Sequence, residues 1–204
     1  MAIRAVIFDV GSLLVHEEPV DRLLERWHDR SGVPLEHLLE VVAAIDPVAT
    51  ATGTLGERDV ADGLAREFDL TDEQVAAWMA DLWDWYCGTS NEVVRDYARR
   101  LRPAVITAIL SNSMDGARRE EARRLGFADD FDPIVYSHEV GMAKPDPGVF
   151  RYTLDAIGCA PDEAAFVDDR IENVEAAAAL GIRAIHHVDT VSTLTALDRL
   201  LDRG

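Results

Sequence analysis

The feature that most constrains the fold is AVITAIL, a continuous apolar run rich in β-branched residues at positions 104–110. A strand without polar alternation is covered on both faces, which is typical of a parallel sheet. Similar short runs recur along the chain, and segments with helical periodicity separate the later ones. Strands that alternate with helices predict an α/β fold in which right-handed crossovers connect parallel strands. The other predicted strands lie at residues 4–9, 133–137, 164–168 and 182–187.

Residues 18–102 differ from the rest, because their apolar residues recur at helical spacing and no run among them predicts a strand. We therefore expect an α/β core formed by residues 1–15 and 96–204, interrupted by a helical insertion at residues 16–95. The insertion begins directly after the first strand. Since ligands of an open parallel sheet bind beyond the carboxyl ends of its strands, the insertion is placed to cover a site there as a lid.

Two helical segments carry side chains of interest. WMADLWDWY, residues 78–86, places large apolar and aromatic side chains nearly all round one predicted helix. Most of these belong in the core of a helical bundle, and one or two are candidates for contacting a substrate in the cleft. RREEARR, residues 118–124, pairs Glu120 with Arg124 at i,i+4 spacing and is interpreted as a solvent-exposed helix face.

The formal net charge of −18 bears on the partners of the protein. A field of this sign repels nucleic-acid phosphates and anionic lipids, so we expect neither nucleic acid nor a membrane as a partner. Cys87 and Cys159 lie far apart without metal-ligand spacing and are interpreted as reduced thiols. The sequence shows no signal-peptide pattern and no apolar run of membrane-spanning length, so a cytoplasmic location is expected.

Polar side chains follow three predicted strands at their carboxyl ends. Asp9 follows the first strand, Ser111 and Asn112 follow the second, and Asp168 and Asp169 follow the fourth. Because the carboxyl ends of parallel strands meet at one edge of the sheet, we expect these groups to form one shared site.

Lys144 is the single lysine among 20 basic residues. The ammonium group of lysine is a compact point charge, whereas the guanidinium group of arginine is a wide planar fork. A site that must fit a small cation beside an anion would resist replacement of lysine by arginine. Lys144 is therefore a further candidate for the site.

Four segments in chain order, FDVGSLLV, ILSNS, GMAKP and FVDDRIENVEAAAALGI, resemble the four motifs of the haloacid dehalogenase superfamily. The resemblance covers the whole predicted core, and the insertion resembles the first type of helical cap in that family. It implies a Rossmann-like parallel sheet with helices on both faces. It also implies a magnesium-dependent phosphatase that works through an aspartyl-phosphate on a small phosphorylated substrate.

The resemblance implies a set of Mg²⁺ ligands. Asp9 would give one carboxylate oxygen to the metal, the backbone carbonyl of Gly11 would be a second ligand, and Asp169 a third. Asp168 would hold a metal-bound water. Oxygen donors of this kind suit a hard divalent cation, which offsets the repulsion between a carboxylate and a phosphate group.

The resemblance also implies the groups that handle the phosphoryl group. Asp9 would attack phosphorus as the nucleophile. Lys144 would neutralise Asp9 and the phosphoryl oxygens. The hydroxyl of Ser111 and the backbone N–H of Asn112 would bind the phosphoryl group during transfer.

Gly11 departs from the family pattern, because phosphatases of this family usually carry a second acid two residues after the nucleophile. Three interpretations remain. The first is a phosphatase similar to a sugar-phosphate phosphatase subgroup with an Asp-x-Gly first motif, which Asp168, Asp169 and Asn173 also resemble. The second is a protein that binds a phosphorylated ligand without turnover. The third is a metal-independent dehalogenase, which the intact acidic pair disfavours.

Histidines are the remaining candidates for acid–base chemistry. His16, just past the first strand, is a candidate for the missing acid, although an exposed position at the start of the insertion is the simpler interpretation. His138, His186 and His187 lie near strand ends and lack the spacing of metal ligands, so structural roles are expected.

Overall fold

The computed structural model describes residues 2–102 and 104–201. Within these ranges the chain forms seven β-strands and eleven α-helices. The strands are β1 (Ala5–Phe8), β2 (Val15–His16), β3 (Thr89–Ser90), β4 (Ile106–Ser111), β5 (Ile134–Tyr136), β6 (Ala164–Asp168) and β7 (Arg183–His186). The helices are α1 (Val20–Ser31), α2 (Leu35–Ala43), α3 (Pro47–Ala51), α4 (Glu57–Phe68), α5 (Asp72–Cys87), α6 (Glu92–Leu101), α7 (Ala117–Arg124), α8 (Ser137–Val140), α9 (Pro147–Ile157), α10 (Ile171–Ala179) and α11 (Thr190–Leu200).

Five strands form one parallel sheet in the order β5-β4-β1-β6-β7. The α/β fold and all five strands predicted from the apolar runs are therefore confirmed. In the registers of β1, Phe8 lies opposite Ile109 of β4 and Val167 of β6. The chain runs from β1 toward one edge of the sheet and from β6 toward the other, so a crevice lies between the carboxyl ends of β1 and β6.

Both faces of the sheet are buried. Alternate side chains of β1 point to opposite faces, so Phe8 joins one hydrophobic cluster and Ile7 joins another. Val94 of α6 and Leu197 of α11 pack in the cluster with Phe8. Phe150 of α9 packs with Ile7. Helices therefore cover both faces, as the resemblance implied.

Helices α1 to α5 lie between β2 and β3, where the helical insertion was expected, and have a hydrophobic cluster of their own. Its centre is a stacked pair, Trp27 and Trp78, with ring centroids 4.6 Å apart and planes inclined by 9°. Helix α5 begins with the reciprocal hydrogen bonds of a capping box, from Gln74 N to Thr71 Oγ1 at 3.3 Å and from Thr71 N to Gln74 Oε1 at 2.9 Å. The insertion thus buries its own apolar surface.

The expectation of no strand in residues 18–102 was wrong at β3. Strands β2 and β3 form a two-stranded antiparallel ribbon with Val15 opposite Ser90. Two-residue strands are too short to show a period in the sequence. The expected boundary at residues 95 and 96 lies inside α6, which packs on the sheet. We propose that the insertion begins and ends at this ribbon.

Asn91, which follows the ribbon, holds the loop that comes after Asp9. Its backbone N–H donates to the carbonyl of Leu14 at 2.8 Å, and its side-chain Nδ2 donates to the carbonyl of Leu13 at 3.0 Å. Asn91 is buried. We expect Asn91→Ala to lower the free energy of unfolding by about 1–3 kcal/mol, because the buried Leu13 carbonyl loses its donor.

Urea denaturation measures this loss. Thr190→Val is the matched control, since Thr190 Oγ1 receives only a 3.4 Å contact from the same Nδ2. We expect the control to change the free energy of unfolding by less than about 0.5 kcal/mol. Equal stability of Asn91→Ala and the wild type would show that this hydrogen bond does not hold the loop.

Candidate active site

A buried ammonium group joins the strand ends. Lys144 Nζ lies 2.5 Å from Asp9 Oδ1 and 2.7 Å from Asp168 Oδ2. The Lys144 side chain is 2% exposed and Asp168 is fully buried. Burial lowers the pKa of Lys144, but the charges of Asp9 and Asp168 outweigh it, so the net shift is upward. The structure thus brings Asp9, Lys144 and Asp168 together, and Lys144 is held as a cation.

Asp9 lies in a buried and negatively charged environment. Burial is the largest influence and raises its pKa, and the charge of Asp168 raises it further, against the attraction of Lys144. With Asp169 alongside, three carboxylates share one ammonium. A site with this charge imbalance favours an additional cation.

The end of β6 positions the acidic pair. Asp168 Oδ1 accepts hydrogen bonds from Arg170 N at 2.8 Å and Asn173 Nδ2 at 3.0 Å, so the start of α10 fixes its orientation. Asp169 lines the cavity at the site. Its backbone carbonyl is 2.9 Å from His186 Nε2 at the end of β7.

The donor set fits Mg²⁺. One oxygen from each of Asp9, Asp168 and Asp169 lies within 4.8 Å of the other two. Both oxygens of Asp168 already accept hydrogen bonds, from Lys144, Asn173 and Arg170, so Asp9 and Asp169 are the better candidates to hold the ion. Carboxylate oxygens are the donors that a hard divalent cation prefers. The Gly11 carbonyl accepts from Leu13 N at 2.6 Å and keeps a second lone pair for a ligand.

The end of β4 holds Lys144 from the other side. Asn112 Nδ2 donates to the carbonyl of Lys144, and Lys144 N donates to Asn112 Oδ1, both at 2.8 Å. Sequence reasoning gave Asn112 a role only through its backbone N–H, and this side-chain clamp was missed. Ser111 is buried in the cavity wall, with its Oγ 3.5 Å from the carbonyl of Asn112.

A cavity of about 470 Å³ opens above these groups. Trp85 and Tyr86 of α5 form part of its wall, so two aromatic residues of the insertion face the cleft, as one or two were expected to. The remaining walls come from the loop after β1, from α7 and from the start of α10. The lining residues are Asp9, Val10, Gly11, Val15, Glu17, Glu18, Trp85, Tyr86, Ser111, Asn112, Glu121, Lys144, Asp169, Arg170 and Asn173.

Glu121 corrects the interpretation of residues 118–124 as a solvent-exposed face. Its carboxylate is buried in the cavity wall and accepts a hydrogen bond of 2.6 Å from Tyr136 Oη. Burial raises the pKa of Glu121 to about 7. Glu120, its neighbour, does follow the prediction and pairs with Arg124 at 3.1 Å. The single inward position in a charged run left no sequence signal.

The histidines lie apart from the cavity. His16 is exposed on β2 and is absent from the lining among the described residues. His138 Nδ1 is 2.7 Å from Ser113 Oγ, and His187 Nδ1 is 2.8 Å from Thr193 Oγ1. Burial lowers the pKa of His138 and of His187. These contacts favour structural roles for both histidines.

Residues 3–181 match the sequence pattern of the haloacid dehalogenase-like hydrolases. The parallel sheet, the strand-end carboxylates and this match over most of the chain define a hydrolase of that type. The chain belongs to the haloacid dehalogenase-like hydrolase family.

Two curated relatives are phosphatases. The phosphoserine phosphatase of Thermus thermophilus is 39% identical over 89 residues, which are 43% of this chain and 36% of that protein. The match with this relative therefore spans little more than a third of its length. The sesquiterpene phosphatase of Aspergillus oryzae is 25% identical over 199 residues, which are 97% of this chain and 96% of that protein.

A solved structure shares the fold over nearly the whole chain. It is a haloacid dehalogenase family enzyme of Bacteroides thetaiotaomicron in complex with magnesium and inorganic phosphate. It is 21% identical and superposes with a TM-score of 0.79 over 95% of this chain and 99% of that one.

No helix among the described residues has both the length and the apolar character needed to cross a membrane.

The raised pKa of Glu121 predicts a pH-dependent stability. The pKa of Glu121 rises from the usual 4.5 to about 7 in the folded state. The contribution of its carboxyl group to the free energy of unfolding is therefore fully present below pH 4.5 and is lost as the pH rises through about 7. Glu121→Gln keeps an acceptor for Tyr136 and removes this loss. We expect its free energy of unfolding, relative to the wild type, to rise by about 3 kcal/mol between pH ~4.5 and pH ~8.

Urea denaturation at several pH values measures this difference. Glu120→Gln on the same helix is the control. Partial burial raises the pKa of Glu120, but hydrogen bonds from Arg123, Arg119 and Arg124 outweigh this effect and lower that pKa to about 2. In the folded state Glu120 therefore stays ionised throughout the tested range. Its difference from the wild type should remain nearly constant. A constant difference for Glu121→Gln as well would contradict the raised pKa.

Proposed function

We propose that the protein is a magnesium-dependent phosphatase that hydrolyses a small phosphate monoester through an aspartyl-phosphate on Asp9. One observation carries the proposal: a buried lysine binds the strand-end Asp9 at 2.5 Å beside the acidic pair, at the base of a cavity. This arrangement supports attack by a carboxylate on an anionic phosphate group. The phosphatase relatives support the same reaction class.

Electrostatic repulsion is the main obstacle to this reaction. A carboxylate and one phosphate charge about 4 Å apart repel by about 4 kcal/mol at an effective dielectric constant near 20. Lys144 offsets part of this repulsion from its position against Asp9. Mg²⁺ held by Asp9, Asp169 and the Gly11 carbonyl would supply the further positive charge that draws the phosphate group toward Asp9.

The side chains of the chain have distinct parts in the proposed reaction. We assign Asp9 Oδ1, which Lys144 holds, to the metal as well, and Oδ2 to the bond with phosphorus. The hydroxyl of Ser111 and the backbone N–H of Asn112 donate to the phosphoryl oxygens. Asn112 also fixes Lys144 through its side chain, and Asn173 and Arg170 fix Asp168.

We propose a sugar phosphate or a similar hydroxyl-rich metabolite as the substrate. A volume of about 470 Å³ suits a small molecule. The carboxyl groups of Glu17, Glu18 and Glu121 in the walls can form hydrogen bonds with hydroxyl groups of such a substrate. Trp85 provides an aromatic surface for a sugar ring. We propose that the helical insertion acts as the cap that brings this surface to the site.

Two other functions differ in what they require. A binding protein without turnover needs the same phosphate site but no group for proton transfer, and the glycine at position 11 is the observation that favours it. A dehalogenase that attacks carbon needs no metal. Asp169 beside Asp9 supports a metal-dependent reaction and disfavours that alternative.

The direct test is hydrolysis of p-nitrophenyl phosphate with and without Mg²⁺, repeated with Asp9→Asn. We expect Mg²⁺-dependent turnover that falls on the order of 10³-fold or more in the variant, because an amide does not replace the nucleophile. Asp155→Asn, an exposed position on α9, is the control and should keep full activity. Phosphate binding without turnover would indicate the binding protein, and halide release without metal would indicate the dehalogenase.

The proposed ligand set predicts weaker metal binding in Asp169→Asn. Loss of one carboxylate should lower Mg²⁺ affinity, with an effect of about 10–100-fold. Calorimetric titration with Mg²⁺ in the absence of substrate measures it, and Asp155→Asn again serves as the control. Unchanged affinity would remove Asp169 from the ligand set.

A further inference from the structure

A gap beside the nucleophile is filled from elsewhere in the chain. A Cβ atom placed on Gly11 would lie 2.5 Å from Glu17 Oε1 and 3.8 Å from Asp9 Oδ2. The carboxylate of Glu17 therefore occupies the volume in which a side chain at position 11 would begin. That volume borders the oxygen of Asp9 that Lys144 does not hold. A residue six positions later thus places a carboxyl group next to the reacting centre.

Local structure brings Glu17 back to this position. Ser12 has a φ of +56°, and Leu13 N donates to the Gly11 carbonyl at 2.6 Å, so the chain turns sharply after Asp9. The ribbon then directs residues 15 and 16 along β3, and Glu17 follows directly. Ser12 Oγ donates to Glu17 Oε2 at 3.0 Å, which orients the carboxyl group with Oε1 toward the Gly11 volume.

The other glutamates of the cavity have different partners. Glu18 accepts a hydrogen bond from Arg26 of α1 at 3.3 Å. Glu121 is buried against Tyr136 Oη on α7. The charge of Asp9 contributes to the raised pKa of Glu121, but the carboxyl oxygen nearest the Gly11 volume belongs to Glu17. Glu17 is therefore the cavity glutamate whose position suits exchange of a proton with a group bound at Asp9.

We propose that Glu17 is the general acid and base of the reaction, an inference that rests on the proposed phosphatase function. An alkoxide is a poor leaving group unless it receives a proton as its bond to phosphorus breaks, and such help is worth about 10²–10⁴ in rate. This role for Glu17 also accounts for the glycine at position 11. Its lack of a side chain leaves room for the carboxyl group that arrives from position 17.

The two half-reactions balance around this carboxyl group. In the first, Asp9 Oδ2 forms a bond to phosphorus while the P–O ester bond breaks, and its electron pair goes to the ester oxygen. That oxygen takes the proton of neutral Glu17 and leaves as an alcohol. In the second, ionised Glu17 takes a proton from water as the water oxygen bonds to phosphorus. The bond from phosphorus to Asp9 Oδ2 breaks, and its electron pair returns to Asp9. Inorganic phosphate leaves, Asp9 becomes a carboxylate again and Glu17 is neutral for the next cycle.

Leaving-group dependence tests this role with the holoenzyme in Mg²⁺. We would compare wild type, Glu17→Gln and Glu121→Gln on p-nitrophenyl phosphate and on a panel of alkyl and sugar phosphates. For Glu17→Gln, kcat/KM for alkyl leaving groups should fall about 10²–10⁴-fold, whereas p-nitrophenolate, which leaves without a proton, should lose less than about 10-fold. His16→Gln, an exposed neighbour on β2, is the control and should match the wild type.

A rescue variant separates proton transfer from a structural effect. Glu17→Ala clears the volume beside Gly11, so an aspartate introduced there in the double variant Gly11→Asp/Glu17→Ala can supply a carboxyl group from its own position. We expect this double variant to regain at least about 10-fold in kcat/KM on alkyl phosphates over Glu17→Ala alone. The proposal is overturned by an equal loss on all leaving groups in Glu17→Gln, by the selective loss in Glu121→Gln instead, or by no rescue. A wild type without turnover on any phosphate ester would instead refute the phosphatase itself.

Discussion

The site depends on the buried salt bridges from Lys144 to the carboxylates of Asp9 and Asp168. An ammonium group this deep is stable only because Asp9 and Asp168 both bind it. It also joins the ends of β1 and β6 to the loop before α9. Asn112 at the end of β4 binds both backbone polar groups of Lys144. One cation therefore ties three strand ends into a single geometry.

The site keeps a net negative charge, because one ammonium group faces three carboxylates. Lys144 compensates for part of the charge of Asp9, Asp168 and Asp169, and burial makes the excess costly. A divalent cation with oxygen ligands relieves this excess. The cavity continues the acidic character through Glu17, Glu18 and Glu121. Under the proposed function, the phosphate group would lie at the base of the cavity and the rest of the substrate along these walls.

Much of the fold and part of the site could be predicted from the sequence. AVITAIL and the other apolar runs predict their strands because complete burial leaves a continuous apolar signal. Asp9 and Asp168 could be predicted as neighbours because parallel strands bring their carboxyl ends together. Lys144 lies in a loop, and it was a candidate because it is the single lysine and lies in a motif that carries the family resemblance. The ribbon at Thr89–Ser90 could not be predicted, since two paired residues carry no periodicity. The inward turn of Glu121 was also hidden, because it depends on how α7 rotates against Tyr136.

The sheet, the family and the group of residues at the carboxyl ends could all be predicted from the sequence, because each of these rests on local pattern and strand order. The contacts that hold those residues in place are visible only in the three-dimensional structure. The side-chain clamp of Asn112 on Lys144 and the place of Glu17 beside Gly11 join residues that are 32 and 6 positions apart, through turns whose direction depends on packing. No periodicity encodes such contacts, since they follow from the way the loops, the ribbon and the insertion fit together in space.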